Sequence, residues 1–199
     1  MAKQVETKLV IKMKRRNRLT TFFRPILIVP ILIFIGTFSS SNSGAMSISF
    51  TLAVPVLLAL VFRNKYPSYI YSFNHAFLEL QNRIAIYALY LNDDFPSIEK
   101  SKNVTITLPE VRGGKALNRW LPLVKWLLAI PLYIVGIAYL LVTIVYTALA
   151  WFSIVFTGNY PKFAINFVVG TVHYWNRVTG YAFILVTDQY PSFSLKLNK

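Results

Sequence analysis

Cysteine is absent from the 199-residue chain, which removes disulfides, thiolate chemistry and Cys-ligated zinc or iron–sulfur clusters. Acidic residues are scarce too, with 7 Asp+Glu against 21 Lys+Arg. Only His75 and His173 are present, and a first-row metal wants three or four donors, so a metal site is not expected. No Gly-rich phosphate loop occurs, since Gly113-Gly114 is a bare turn, and no Ser-His-Asp set can be assembled around an oxyanion signature. The adjacent carboxylates Asp93-Asp94 precede Pro96 and read as turn residues. The chain is therefore expected to be non-catalytic, with no cofactor.

What is present is apolar. Hydrophobic residues make up 55% and aromatics 16%, with 14% charged, which is far from a soluble composition. Two runs, Pro25 to Phe62 and Trp126 to Pro161, carry no charge over 38 and 36 residues. A bilayer core needs about 20 helical residues per crossing, so each run is too long for one span and barely enough for two. Each is expected to be a helical hairpin or a shallow wedge, with uncharged outer turns around Ser39 to Ser47 and Val142 to Thr147. A cleaved signal peptide ending near Ser43-Gly44-Ala45 is disfavoured, because the basic lead-in is long and the segment has a counterpart in the second half.

That counterpart is part of a repeat. Shifting the sequence by 94 residues aligns Val61 to Asp94 with Val155 to Asp188 without a gap, and eleven of 34 positions are identical, where chance gives roughly two or three. Tyr66-Pro67 falls on Tyr160-Pro161, Asn82-Arg83 on Asn176-Arg177, Tyr87 on Tyr181 and Asp94 on Asp188. Upstream, Arg24 and Pro30 match Lys125 and Pro131 at an offset of 101, and the seven residues of Ser39 to Ala45 account for the difference. VETKLVI (Val5 to Ile11) and VTITL (Val104 to Leu108) both alternate as strands do. The expected fold is an all-α integral membrane protein, a tandem duplication of a helical hairpin plus an amphipathic helix, with short β-type segments before each hairpin. Its repeats are 1–98 and 99–199.

NRWLPLVKWLLAIPLYIV (Asn118 to Val135) and VFTGNYPKFAINFVVGTVHYWNRVTGYAFILVTDQYPSFSL (Val155 to Leu195) resemble a bacterial membrane-protein family known as domain of unknown function 4389. The first half carries the pattern in degenerate form, with Arg63-Asn64 in place of Thr157-Gly158. The resemblance implies a small multi-span membrane protein and brings no activity with it.

Ser68 to Leu91 and its counterpart carry a polar stripe at helical spacing, which reads either as an interfacial helix with one wet face bearing the histidines or as a third span with a polar seam facing protein, and charge bias favours the first. With two crossings per copy, every basic cluster lies on one side, and the positive-inside rule makes that side cytoplasmic, together with both termini. Lys12, Lys14, Arg15, Arg16, Arg18, Arg24 and Lys125 are the expected contacts to anionic lipid headgroups, and nucleic acid is not an expected partner. Trp120, Trp126, Trp151 and Trp175 suit headgroup-level anchors. Asn82, Arg83, Asp94, Asn176, Arg177 and Asp188 are expected to join the copies, with Arg83 facing Asp188 and Arg177 facing Asp94. The favoured function is an accessory or scaffolding subunit of a membrane complex, through a membrane-protein partner or as a homo-oligomer. Membrane shaping is the alternative, and a small transporter or channel is weakest because the apolar runs hold no ionisable group.

Overall fold

The computed structural model describes residues 4–13, 15–37, 46–99 and 101–195. Ser39 to Ala45, Lys14, Lys100, Lys196 and Lys199 lie outside the described residues. In chain order the elements are β1 (Glu6–Leu9), α1 (Arg18–Leu27), α2 (Val29–Thr37), α3 (Met46–Arg63), α4 (Ser68–Ala88), β2 (Val104–Thr107), α5 (Pro122–Leu128), α6 (Ile130–Thr157) and α7 (Lys162–Ala182). The fold is mostly helical with one small sheet.

The two alternating segments pair antiparallel, Thr7 opposite Ile106 and Leu9 opposite Val104. Thr7, Val104 and Ile106 face inward, while Glu6, Lys8, Thr105 and Thr107 are exposed. β1 packs on α7 and β2 on α4, so each strand seats on the helix of the other half.

Both long apolar runs end alike. Asn64 and Gly158 take left-handed conformations (φ 50° and 74°), and their N–H groups donate to Leu60 O (3.0 Å) and Ile154 O (2.8 Å). Asparagine is among the few side chains that tolerate this region, so Arg63-Asn64 does the work of Thr157-Gly158. Pro67 and Pro161 follow in extended backbone (ψ 125° and 124°) and start α4 and α7.

One expectation is corrected outright. α6 is a single helix of 28 residues, about 42 Å long, and not a hairpin, and Val142 to Thr147 sits in its middle. Between Gly136 and Gly158 the sequence offers no Gly, Pro, Asn or Asp to turn the chain. Thr147 Oγ1 donates to Thr143 O (2.7 Å), so its hydroxyl is satisfied within the helix. In the first half, α2 packs on α4 through Ile31, Ile35, Leu80 and Ile84.

The polar stripes of α4 and α7 are wet only toward their starts, where Ser68, Ser72, Lys162 and Asn166 are exposed. Asn74, Glu79, Asn82, Arg83, Thr171, Asn176 and Arg177 are all buried, and much of the stripe is turned toward the sheet and the opposite helix. Thr7 Oγ1 accepts from Asn176 Nδ2 (2.9 Å), Ile106 N donates to Glu79 Oε1 (3.4 Å), and Ile106 O meets His75 Nε2 (2.6 Å). A two-stranded sheet brings buried polar groups that need partners, and the stripes supply them.

The layers follow from which face of α7 meets what. Asn176 and Gly180 touch β1 at Thr7 and Val5, whereas Thr171, Tyr174 and Val178, on the far side of the helix at 100° per residue, meet α6 at Thr143 and Leu132. The order is therefore sheet, then α4 and α7, then α2 and α6. Arg18–Gly36 and Ile130–Thr157 are long and apolar enough to cross a membrane, and only 17% of the second is buried. The core helix of a water-soluble protein would be mostly buried.

Candidate functional site

The two halves meet at an amide pair. Asn82 Nδ2 donates to Asn176 Oδ1 (2.9 Å) and Asn176 Nδ2 donates to Asn82 Oδ1 (2.7 Å), both side chains being buried. Backbone contacts around this pair are reciprocal. Tyr66 N donates to Gly113 O and Tyr160 N to Met13 O, each at 3.0 Å, so the Tyr-Pro corner of each half is bonded to the lead-in of the other. Arg16 N donates to Gly158 O (3.0 Å) at the end of α6, and Arg119 bonds Val61 O and Phe62 O at the end of α3.

Two cations anchor the last turns of α1 and α5, just ahead of α2 and α6. Arg24 is 1% exposed, with Nη1 donating to Tyr87 O and Asn92 O (2.9 Å each) and Nη2 to Asp93 (2.7 Å). Its guanidinium lies 4.3 Å from the Tyr87 ring centroid. Lys125 is 0% exposed, donating to Thr187 O (2.7 Å), paired with Asp188 (2.6 Å) and 5.3 Å from the Tyr181 ring centroid. Burial pulls the Lys125 ammonium below the ordinary lysine range, and Asp188 opposes that shift. Arg16 is buried beside Asp93 as well, at 2.8 Å, and burial likewise lowers it against the pull of Asp93.

These placements sort the expected headgroup contacts. Arg16, Arg24 and Lys125 are internal: a side chain closed off from solvent and held by protein carboxylates and carbonyls does not reach a lipid phosphate. Lys12 is half-exposed and paired with Asp94 at 2.9 Å, and that partner, backed by Asn103, holds the Asp94 carboxyl below its usual range. Arg15 and Arg18 are exposed. Of the tryptophans, Trp120 and Trp126 are exposed, while Trp151 stacks on Phe22 and Trp175 lies against Gly136.

The expected cross-pairs of Arg83 with Asp188 and Arg177 with Asp94 do not form. Arg83 donates instead to Ile98 O (3.3 Å) and Arg177 to Ser194 O (2.5 Å), each tying its helix to the segment that follows it. Asp188 and Asp94 are taken by the lysines of their own halves. Sequence reasoning missed Asp93, which serves Arg24 while the aligned Asp94 does not; the tandem Asp93-Asp94 was the available signal. Among the described residues no group of three or more His, Asp or Glu is placed to hold a metal ion.

Residues 120–194 match the family model described as a domain of unknown function, 4389. The matched segment runs from the start of α5 through α7 to the returning loop, and so holds Lys125, Asn176, Arg177 and Asp188. It covers one copy. No curated protein and no solved structure matches the chain.

Proposed function

We propose that the chain is a non-catalytic membrane protein, a tandem duplication whose copies are related by a pseudo-two-fold axis, embedded in one leaflet and acting to shape the membrane. The carrying observation is the reciprocal end-to-end contact of the long helices. The start of the first copy meets the end of α6, and Arg119, before α5, bonds the end of α3. If the copies are two-fold related, both starts share one height along the axis. Each end then shares it as well, so the long apolar helices lie across the axis and not along it.

On this reading the axis would pass between Thr7 and Ile106 and between Asn82 and Asn176, normal to the sheet. One pole is polar, carrying Glu6, Lys8, Thr105 and Thr107. The other is the apolar layer of α2 and α6, where Ile134, Ile137, Leu141, Ile144, Val145 and Phe152 are exposed. Setting the axis along the membrane normal puts that layer among acyl chains and the basic loops at headgroup level, with the exposed Arg15, Arg18, Lys65, Lys115 and Lys162 facing anionic lipid. Setting it in the membrane plane would send α6 across the bilayer and place one of the two basic clusters on the far side, against the charge bias rule. A body inserted into one leaflet expands that leaflet and favours curvature.

The test is reconstitution into vesicles of mixed zwitterionic and anionic lipid, imaged by electron cryomicroscopy. Tubules or sharply reduced diameters with rising protein content are expected, and their loss in the I137D/I144D variant. Vesicles unchanged at high protein content would overturn the shaping role.

A further inference from the structure

The flank of α4 holds a cleft of about 290 Å³ lined by Tyr71, Ser72, His75, Ala76, Glu79, Arg83 and Ile98. Glu79 and Arg83 sit one turn apart, where opposite charges normally reach each other. Here they form no ion pair: Glu79 lies 3.8 Å from His75, and Arg83 spends Nη2 on Ile98 O. Arg83 is 4% exposed, and its Nε and Nη1 are buried without a hydrogen-bond partner. A buried guanidinium with unmet donors is costly to leave so, and in a cleft a water or a polar ligand supplies the missing partner.

The other half shows what such a groove accommodates. The position 94 residues beyond Ala76 is Gly170, where an added Cβ would stand 2.7 Å from Leu195 O, and Arg177 holds Ser194 O. There the chain's own segment fills the groove. In the first half, among the described residues, no segment enters the corresponding groove beyond Ile98 at its edge.

We propose that this cleft binds a zwitterionic headgroup carrying a phosphate and a primary ammonium, the phosphate on Arg83 and the ammonium on Glu79. A single anion would be repelled by Glu79 and a single cation by Arg83. A phosphoethanolamine unit places its two charges about one helical turn apart, as the i and i+4 side chains do. A carboxylate already accepting from Ile106 N has further lone pairs for an ammonium, and Arg83 offers the donors a phosphate uses. The ligand source is either an aminophospholipid or free phosphoethanolamine. The site does not depend on the leaflet placement proposed above, because the soluble headgroup reports on it in detergent.

The experiment is native mass spectrometry of the full chain with equimolar phosphatidylethanolamine, phosphatidylcholine and phosphatidylglycerol, and separately with phosphoethanolamine alone. One phosphatidylethanolamine per chain is expected, retained at least tenfold over the other two and reduced at least tenfold in E79Q, R83Q and the groove-filling A76W, with K8Q, on the exposed face of the sheet, unchanged. Melting temperatures identify any variant that does not fold, and A76W tests the groove without removing either charge. Phosphoethanolamine binding tightly alone assigns a soluble ligand; binding only as the intact lipid assigns the membrane source. Equal retention of all three lipids with no phosphoethanolamine binding, or full retention in a folded A76W, would overturn the proposal.

Discussion

Asn82 and Asn176 each donate to and accept from the other across the centre of the protein. Removing one partner strands a buried amide, which costs about 1–3 kcal/mol, whereas removing both with apolar groups of similar shape is close to neutral. N82L and N176L are each expected to lower the melting temperature in detergent, and the double variant to recover most of the loss. Additive losses would show that the two amides are independent and that the seam is held elsewhere.

The buried cations give a sharper version of the same contrast. Arg24 and Lys125 hold the last turns of α1 and α5 against Asp93 and Asp188. Breaking such a pair by removing one member costs about 3–5 kcal/mol, while replacing both is far milder. K125M is therefore expected to destabilise strongly and K125M/D188N to regain much of it. If K125M instead leaves stability intact but weakens binding to anionic vesicles, Lys125 is a headgroup contact and its internal role is wrong.

Much of this was legible before the fold. The alternation of VETKL and VTITL gave the strands, the Tyr-Pro corners gave the starts of α4 and α7, and Asn82 with Asn176 stood out as a repeated pair. The sequence was silent on two things. A period of 3.6 shows that a helix has a polar stripe but not what the stripe faces, so Arg83 and Arg177 read as partners of Asp188 and Asp94, whereas each bonds a carbonyl of the segment that follows its own helix. Length alone made a hairpin of Trp126 to Pro161, although the lack of any turn residue after Gly136 already argued for one unbroken helix. Arg24 and Lys125 read as lipid ligands because a basic residue beside an apolar run usually is one, and nothing local announces a carboxylate some 60 residues away.

His173, half-buried on α7, carries its surroundings in its titration. Burial, aided by Arg177, pushes it down from 6.5 to about 4. The folded state therefore keeps this imidazole neutral while the unfolded chain protonates it below about 6.5. Stability is full above that pH, declines as pH falls from about 6.5 to about 4, and levels off below. Melting temperatures between pH 4 and 7.5 are expected to show this slope, with a flatter profile in H173Q. An identical profile in that variant would place the histidine in water.

Partner content is the next discriminator. Native mass spectrometry after gentle nanodisc extraction is expected to show the chain alone or self-associated with bound lipid, as a membrane-shaping protein requires. A stoichiometric foreign subunit would restore the accessory role expected from the sequence.

The natural absence of cysteine allows the central claim to be tested with single-cysteine variants and no background. Met13, Thr105 and Ala116 are exposed at one basic cluster, the outer face of the sheet and the other basic cluster, and Ile144 is exposed in the middle of α6. In sealed, oriented vesicles a membrane-impermeant maleimide is predicted to label M13C, T105C and A116C from the same side and I144C from neither. Labelling of M13C and A116C from opposite sides would show that α6 crosses the bilayer and would contradict the one-leaflet account.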